Sequence, residues 1–369
     1  MTRAKRAAAE LETCGPEGAG AIPGQIVWTL KRKPTINDVA RLAQVSKKTV
    51  SRVINQSPFV KNETRDRIQS VIDQIGYVPD PQARGLASQR SLLIGLIYDN
   101  PSSHYIVNIQ YGVLGACRRM GYELVVHPCD KTSPTFFAEV RQLVERQKLD
   151  GVILLPPLSE NNELAALLTE LECPFIRVVA VPLDTPRNTV VYHDCQAAEE
   201  VAHHLVELGH RRIGFISGSP TYRSAHERTR GFIGGLERHG VMLPPELIVQ
   251  GEYTFETGEA CADILLNLPD PPTAIFASND EMAAGVYKAA YRRGMQIPED
   301  IGVVGFDDSP LATRLWPALT TVRSPSQDTG RMAAEKLIGR VLQDDLGPVE
   351  PTSVIPRLVL RESVIPPRR

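Results

Sequence analysis

Near the N-terminus three cations and three hydroxyls share one short stretch: Lys47, Lys48 and Arg52 alternate with Ser46, Thr49 and Ser51. Cations neutralise phosphates and hydroxyls bond to phosphate oxygens, so this is a chemistry for nucleic acid. The segment that presents them, TINDVARLAQVSKKTVSRVIN over 35–55, reads as two helices that almost touch. Thr35 and Asp38 form a capping box ahead of Ile36, Val39, Ala40 and Ala43. Gln44 and Val45 break the pattern, and Ser46 caps a second helix whose Val50, Val53 and Ile54 recur at helical spacing. Such a pair, cationic on the outer face of its second member, suits a helix-turn-helix reader of the DNA major groove. The plainer reading is a helical hairpin with a solvated basic face.

The neighbouring residues favour DNA binding. Asn62 is placed to cap a third helix with Ile68, Val71, Ile72 and Ile75 as its buried stripe, and Gly76 stands where a left-handed residue ends it. Residues 77–88 then form a Pro- and Gly-bearing strap, too short and apolar-poor to stand as a core helix and able to order only against a partner. Between Lys31 and Arg90 twelve Lys or Arg face five Asp or Glu, a surplus of seven. The whole chain carries −2 and its first thirty residues balance, so the part from Ser91 onward carries −9. A basic head on an acidic body is the footprint of a DNA-binding module joined to something else.

Other chemistry is scarce. The six cysteines (14, 117, 129, 173, 195, 261) have no metal-ligand spacing and read as free thiols of a reducing cytoplasm. His203, His204 and His210 lie close in sequence, but the first two point to different helix faces, so no metal site is expected. No P-loop, G-x-S-x-G elbow or strand-following G-x-G-x-x-G is present, and neither catalytic residues nor a cofactor are expected. No secretory signal or eighteen-residue apolar run is seen, which points to the cytoplasm with no membrane contact. Residues 1–33, rich in Ala, Gly and Glu, read as a disordered extension or an early start codon.

From Ser91 onward, apolar strands such as 92–98, 151–155, 175–179, 212–216, 274–277 and 302–306 alternate with amphipathic helices. This predicts parallel sheets covered on both faces. The rhythm restarts after His193, so two doubly wound lobes with a cleft between them are expected, and ligands belong in the loops beyond the strands' carboxyl ends.

The order of parts resembles the lactose/galactose-repressor (LacI/GalR) family of bacterial transcription regulators. The matching phrases are TINDVARLAQVSKKTVSRVIN, RDRIQSVIDQIGYVPDPQARGLASQRSLLIGLI, LVELGHRRIGFISG, SAHERTRGF, FASNDEMAAGV, IPEDIGVVGFDD and PALTTVR, over about 34–361. The resemblance implies an all-α helix-turn-helix headpiece at 34–78, a hinge at 79–91, and a periplasmic-binding-protein-like α/β core of two parallel-sheet lobes at 92–361. The N-lobe covers about 92–192 and the C-lobe about 193–322; the chain crosses back near the C-terminus, and 362–369 is a tail. On the DNA side it implies that Lys47, Lys48 and Arg52 read base edges, with Ser46, Thr49, Ser51 and Asn55 on the phosphates. Thr35 and Ala83 complete the contact set, and Leu86 wedges into the central base step from the minor groove.

On the ligand side it implies Asn100, Tyr105, Tyr222, Ser224, Arg228, Tyr253, Asn279 and Asp307. Arg228 donates, Asp and Asn groups orient vicinal hydroxyls, and an aromatic face covers the ring, so a sugar is the leading effector. Capping is the competing role for Asn279-Asp280 and for Asp308, and Trp316 reads more readily as core. A purine corepressor is the alternative effector, since Tyr105 could stack on a base. A transporter's sugar-binding protein is the other class, which the basic head opposes. The expected protein is a repressor that binds a double-stranded, pseudo-palindromic operator as a homodimer. No leucine heptad follows Arg361 to build a tetramer. Inducer and corepressor roles are both open.

Overall fold

The structure, a computed structural model, describes residues 11–13, 28–30, 33–54, 59–77, 90–183, 185–342 and 352–368. Two compact units divide at Arg90/Ser91. In the first, β1 (Leu11–Thr13) pairs antiparallel with β2 (Trp28–Leu30). Three helices come next: α1 (Ile36–Leu42), α2 (Lys47–Ile54) and α3 (Asn62–Ile75). They bury Val39, Ala43, Val50, Val53 and Ile68 in one small core. The Asp38 carboxylate accepts from the Thr35 amide at 2.9 Å and its hydroxyl at 2.7 Å, closing the entrance to α1. One expectation is corrected: Lys61, not Asn62, stands at the N-cap of α3, and no side chain caps that end. Gly76 closes α3 at φ 62°, a left-handed conformation that costs glycine nothing. The hinge at 79–91, with Ala83 and Leu86, and also Asn55, lie outside the described residues save for Arg90 and Ser91.

The second unit begins with β3 (Leu93–Tyr98), α4 (Ser103–Met120), β4 (Glu123–Pro128), α5 (Phe136–Gln147), β5 (Gly151–Leu154), α6 (Asn162–Glu170), β6 (Phe175–Val179) and β7 (Thr189–Tyr192). It continues with α7 (Asp194–Glu207), β8 (Ile213–Ser217), α8 (Arg223–Arg238), β9 (Ile248–Gln250), α9 (Phe255–Leu266), β10 (Ala274–Ala277), α10 (Asp280–Arg292) and β11 (Gly302–Asp307). Last come α11 (Pro310–Arg314), β12 (Thr320–Arg323), α12 (Ser326–Val341), β13 (Thr352–Val354) and β14 (Arg357–Val359).

Two six-stranded sheets repeat one winding, β4-β3-β5-β6-β7-β13 and β9-β8-β10-β11-β12-β14, parallel throughout except where β14 runs against β12. Strands β5, β6 and β10 are buried at every residue because each sheet is covered on both faces. The chain crosses between lobes three times: from β7 to α7, from β12 to α12, and from β13 to β14. Helix α12 therefore packs its Ala333, Ala334, Leu337 and Ile338 into the N-lobe core.

The residues that follow Arg361 pack on the C-lobe. The Ser363 hydroxyl accepts from the Thr320 amide and donates to the Val303 carbonyl, and Val364 enters the C-lobe core. His210 is buried against the Thr273 hydroxyl and the Ile365 carbonyl, which fixes the same segment. Trp316 is 93% exposed rather than core. Cysteines 117, 129, 173, 195 and 261 are free thiols. Among the described residues no helix is long and apolar enough to cross a membrane, and no group of three or more His, Cys, Asp or Glu is arranged to hold a metal.

Candidate functional site

Two surfaces collect the chemistry. On the head, α2 buries Val50 and Val53 and leaves Lys47, Lys48 and Arg52 exposed. Ser46 accepts from the Thr49 amide at 3.1 Å and the two hydroxyls are 2.8 Å apart, so both residues build the start of α2. Ser51 is half-buried and Thr35 exposed. The cationic face is thus presented on a short, rigid helix.

The second surface is a cleft between the lobes. Its lining gathers at strand carboxyl ends, from the loops there and the first turns of the helices that follow, where the doubly wound order opens a crevice. Asn100 and Tyr105 follow β3, Tyr222 and Ser224 follow β8, Tyr253 follows β9, Asn279 follows β10, and Asp307 ends β11. All eight residues singled out in the sequence as ligand-facing line this one cleft.

Arg228 is its electrostatic centre. From α8 its Nε donates to Asp194 Oδ2 at 2.8 Å and Nη1 to the Ser278 carbonyl at 2.5 Å, while its guanidinium carbon lies 3.6 Å from the Phe306 ring centroid. Asp194, at the start of α7, is 1% exposed, and its Oδ1 has no hydrogen-bond partner. Burial pushes its pKa up and the pairing with Arg228 opposes that. Asp307 is pushed up to about 8, first by enclosure and then by Asp280 and Asp194, against the pull of Arg228. Behind it Asp280 is pushed up to about 7 by burial, although the Thr321 hydroxyl and Ser309 amide bond to its carboxylate. The Tyr105 hydroxyl is enclosed without a partner, and burial raises its pKa, so it stays a neutral donor. Buried polar atoms left unbonded in a cleft are places for a ligand's groups.

The head's sequence matches the family described as "Bacterial regulatory proteins, lacI family" over residues 35–80, and residues 202–364 match a "Periplasmic binding protein-like domain". The chain is 31% identical to the probable HTH-type transcriptional repressor ExuR of Bacillus subtilis (strain 168), over 84% of this chain and 92% of that one. The chain belongs to the LacI family. Among solved structures, the lac repressor dimer bound to operator and the anti-inducer ONPF superposes with a TM-score of 0.71 at 26% identity. That match covers 90% of this chain and all of the other. The CelR–cellobiose complex superposes with a TM-score of 0.67 at 29% identity, with the same 90% and 100% coverage. As a LacI-family member the protein is a DNA-binding transcriptional repressor.

The LacI-family cleft has parts that the sequence alone did not single out. Pro156, Tyr192, Asp194, Ser324 and Thr329 also line it, beside Pro101 and Ser102 of the loop after β3 that the resemblance marks as pocket-forming. Asp194, Tyr192, Ser324 and Thr329 flank lobe crossings, so a polar residue just beyond a short apolar strand such as Thr189–Tyr192 was the available signal. Asn279 serves two purposes: its Oδ1 caps α10 and its Nδ2 donates to the Tyr253 carbonyl at 2.9 Å. Asp308 neither lines the cleft nor caps a turn; it pairs with Arg323 and Arg361, each at 2.6 Å. Phe255 is also outside the lining, under the Lys288 amine. His203 stacks on His239, with ring centroids 4.9 Å apart, rather than on His204 or His210.

Proposed function

We propose that the cleft binds a sugar and that its occupancy changes operator binding by a homodimer. The observation that carries this is the donor–acceptor set around Arg228: a paired guanidinium, Asp194 with one free oxygen, Asp307, the unpartnered Tyr105 hydroxyl, and four tyrosines, Tyr105 and Tyr192 from the N-lobe and Tyr222 and Tyr253 from the C-lobe. Vicinal hydroxyls are the ligand groups that use donors and acceptors side by side. The CelR structure with cellobiose supports the same reading by similarity. Tyr222 and Tyr253 meet edge to face at 86°, so these two rings do not sandwich a base between them.

On the DNA side the proposal gives base reading to Lys47, Lys48 and Arg52 and phosphate contacts to Thr35, Ser46, Thr49, Ser51 and Asn55. It assigns the minor-groove wedge to Leu86, beside Ala83. Two copies are needed because a two-fold operator needs two heads, and the lac repressor relative is a dimer on its operator. The test is a melting-temperature screen against mono- and disaccharides and purines, followed by gel shifts on the protein's own promoter at fixed salt with the hit added. A sugar that raises the melting temperature and shifts operator affinity is expected. Stabilisation by a nucleobase alone would overturn the effector assignment.

A further inference from the structure

Every charge that faces the cleft is negative or already matched. Arg228 is the only Lys or Arg among the described lining residues, and it is committed to Asp194, the Ser278 carbonyl and the Phe306 face. Arg323, next to the lining residue Ser324, is tied with Arg361 to Asp308. Lys131, outside the lining, holds its amine 5.7 Å from the Tyr222 ring centroid. Against one enclosed guanidinium stand three carboxyls, Asp194, Asp307 and Asp280, with Glu281 acting on Asp307 from the start of α10. The enclosed charge reaches zero only when two of the three carry protons. A ligand carboxylate or phosphate entering here sheds its water and meets no unmatched cation. Hydroxyl groups meet acceptors at Asp194 Oδ1 and Asp307 and a donor at Tyr105.

We propose that the cleft selects an uncharged polyhydroxy effector and rejects its acidic counterparts, uronates and sugar phosphates, with Asp307 as the main discriminating residue. This rests on the sugar reading and narrows it. Asp307 is suited to a test by substitution: it lies at φ 112°, and asparagine and aspartate are the side chains that best accept positive φ.

The experiment is titration calorimetry of the full chain with matched pairs at about pH 9, where the Asp307 carboxyl has lost its proton, and at fixed ionic strength. The pairs are glucose and glucuronate, galactose and galacturonate, ribose and its phosphate ester, and cellobiose and cellobionate. The expected result is that a neutral member binds while its acid binds roughly a hundredfold more weakly. In Asp307→Asn that gap should narrow, because an amide donor replaces a group that repels or displaces an anion. An acid that binds as tightly as its neutral partner overturns the inference and leaves the sugar reading standing. A panel in which nothing binds overturns both. A gap left untouched by Asp307→Asn overturns the assignment to Asp307, and the wild-type pairs decide the wider point even without that variant.

Discussion

Asp307 is partly buried in the cleft wall with no hydrogen-bond donor from the described chain to support its charge, and its pKa rises from 3.8 to about 8. The folded protein therefore keeps a proton that the unfolded chain releases above about pH 4. Through the window from about pH 4 to pH 8 the folded state holds more protons, so stability falls as pH rises and levels off beyond it. Asp280, pushed up to about 7, acts in the same direction. Asp307→Asn removes one of these groups. Without ligand it should match wild type near pH 4 and be more stable above pH 8, by about 1–3 kcal/mol. Melts followed by circular dichroism across that range check it; a difference that grows toward acid would give the wrong sign. Arg228 supplies the opposite case. Arg228→Ala strands Asp194 without a countercharge and should cost about 3–5 kcal/mol in urea unfolding. Arg228→Lys keeps the charge but loses the fork and the Phe306 stacking, so its loss should be smaller.

Helix contacts are where small residues decide packing. A Cβ on Gly112 of α4 would run into the backbone of Gln327 and Arg331 on α12, and one on Gly330 would meet the backbone of Ile109. Backbone on both sides leaves no side chain free to yield. Gly112→Ala should therefore destabilise the N-lobe by at least about 1–3 kcal/mol. Gly234, on the open side of α8, has nothing within 4 Å of its added Cβ. Gly234→Ala should stabilise by up to about 1 kcal/mol, since only helix propensity changes. Thermal unfolding of the pair separates the two kinds of glycine, which are indistinguishable in the sequence.

The same limit governs what was legible. The apolar runs of β5, β6 and β10 and the amphipathic pattern of α5 announce themselves. Strands β7, β9 and β13, which mix polar with apolar residues, do not, because their place is set by neighbours far along the chain. The cleft residues came from motif positions. Asp194 was missed because its importance lies in what it faces, Arg228, thirty-four positions later.

At the scale of the whole molecule, an effector in the cleft and an operator on the head occupy different units, so any influence between them is a coupling free energy. If the sugar changes operator affinity by some factor, operator DNA must change sugar affinity by the same factor. Coupling of this kind is commonly about 5–150-fold. Lys48→Ala separates the terms. It removes a proposed DNA contact and leaves the cleft untouched, so sugar affinity without DNA should equal wild type. Operator affinity should fall, with discrimination between operators reduced if Lys48 reads a base. If it meets a phosphate instead, the salt slope should shrink by about one. In either case the coupling factor should survive, because that factor depends on the difference between two states of the protein rather than on the strength of one DNA contact. Anisotropy titrations of labelled operator with and without sugar, and calorimetry of sugar with and without operator, give the two factors at one stated salt concentration. Equal factors in both directions, in wild type and in Lys48→Ala, are the expected outcome. A factor that collapses in Lys48→Ala would place the head's own recognition helix, rather than the lobes, at the source of the response.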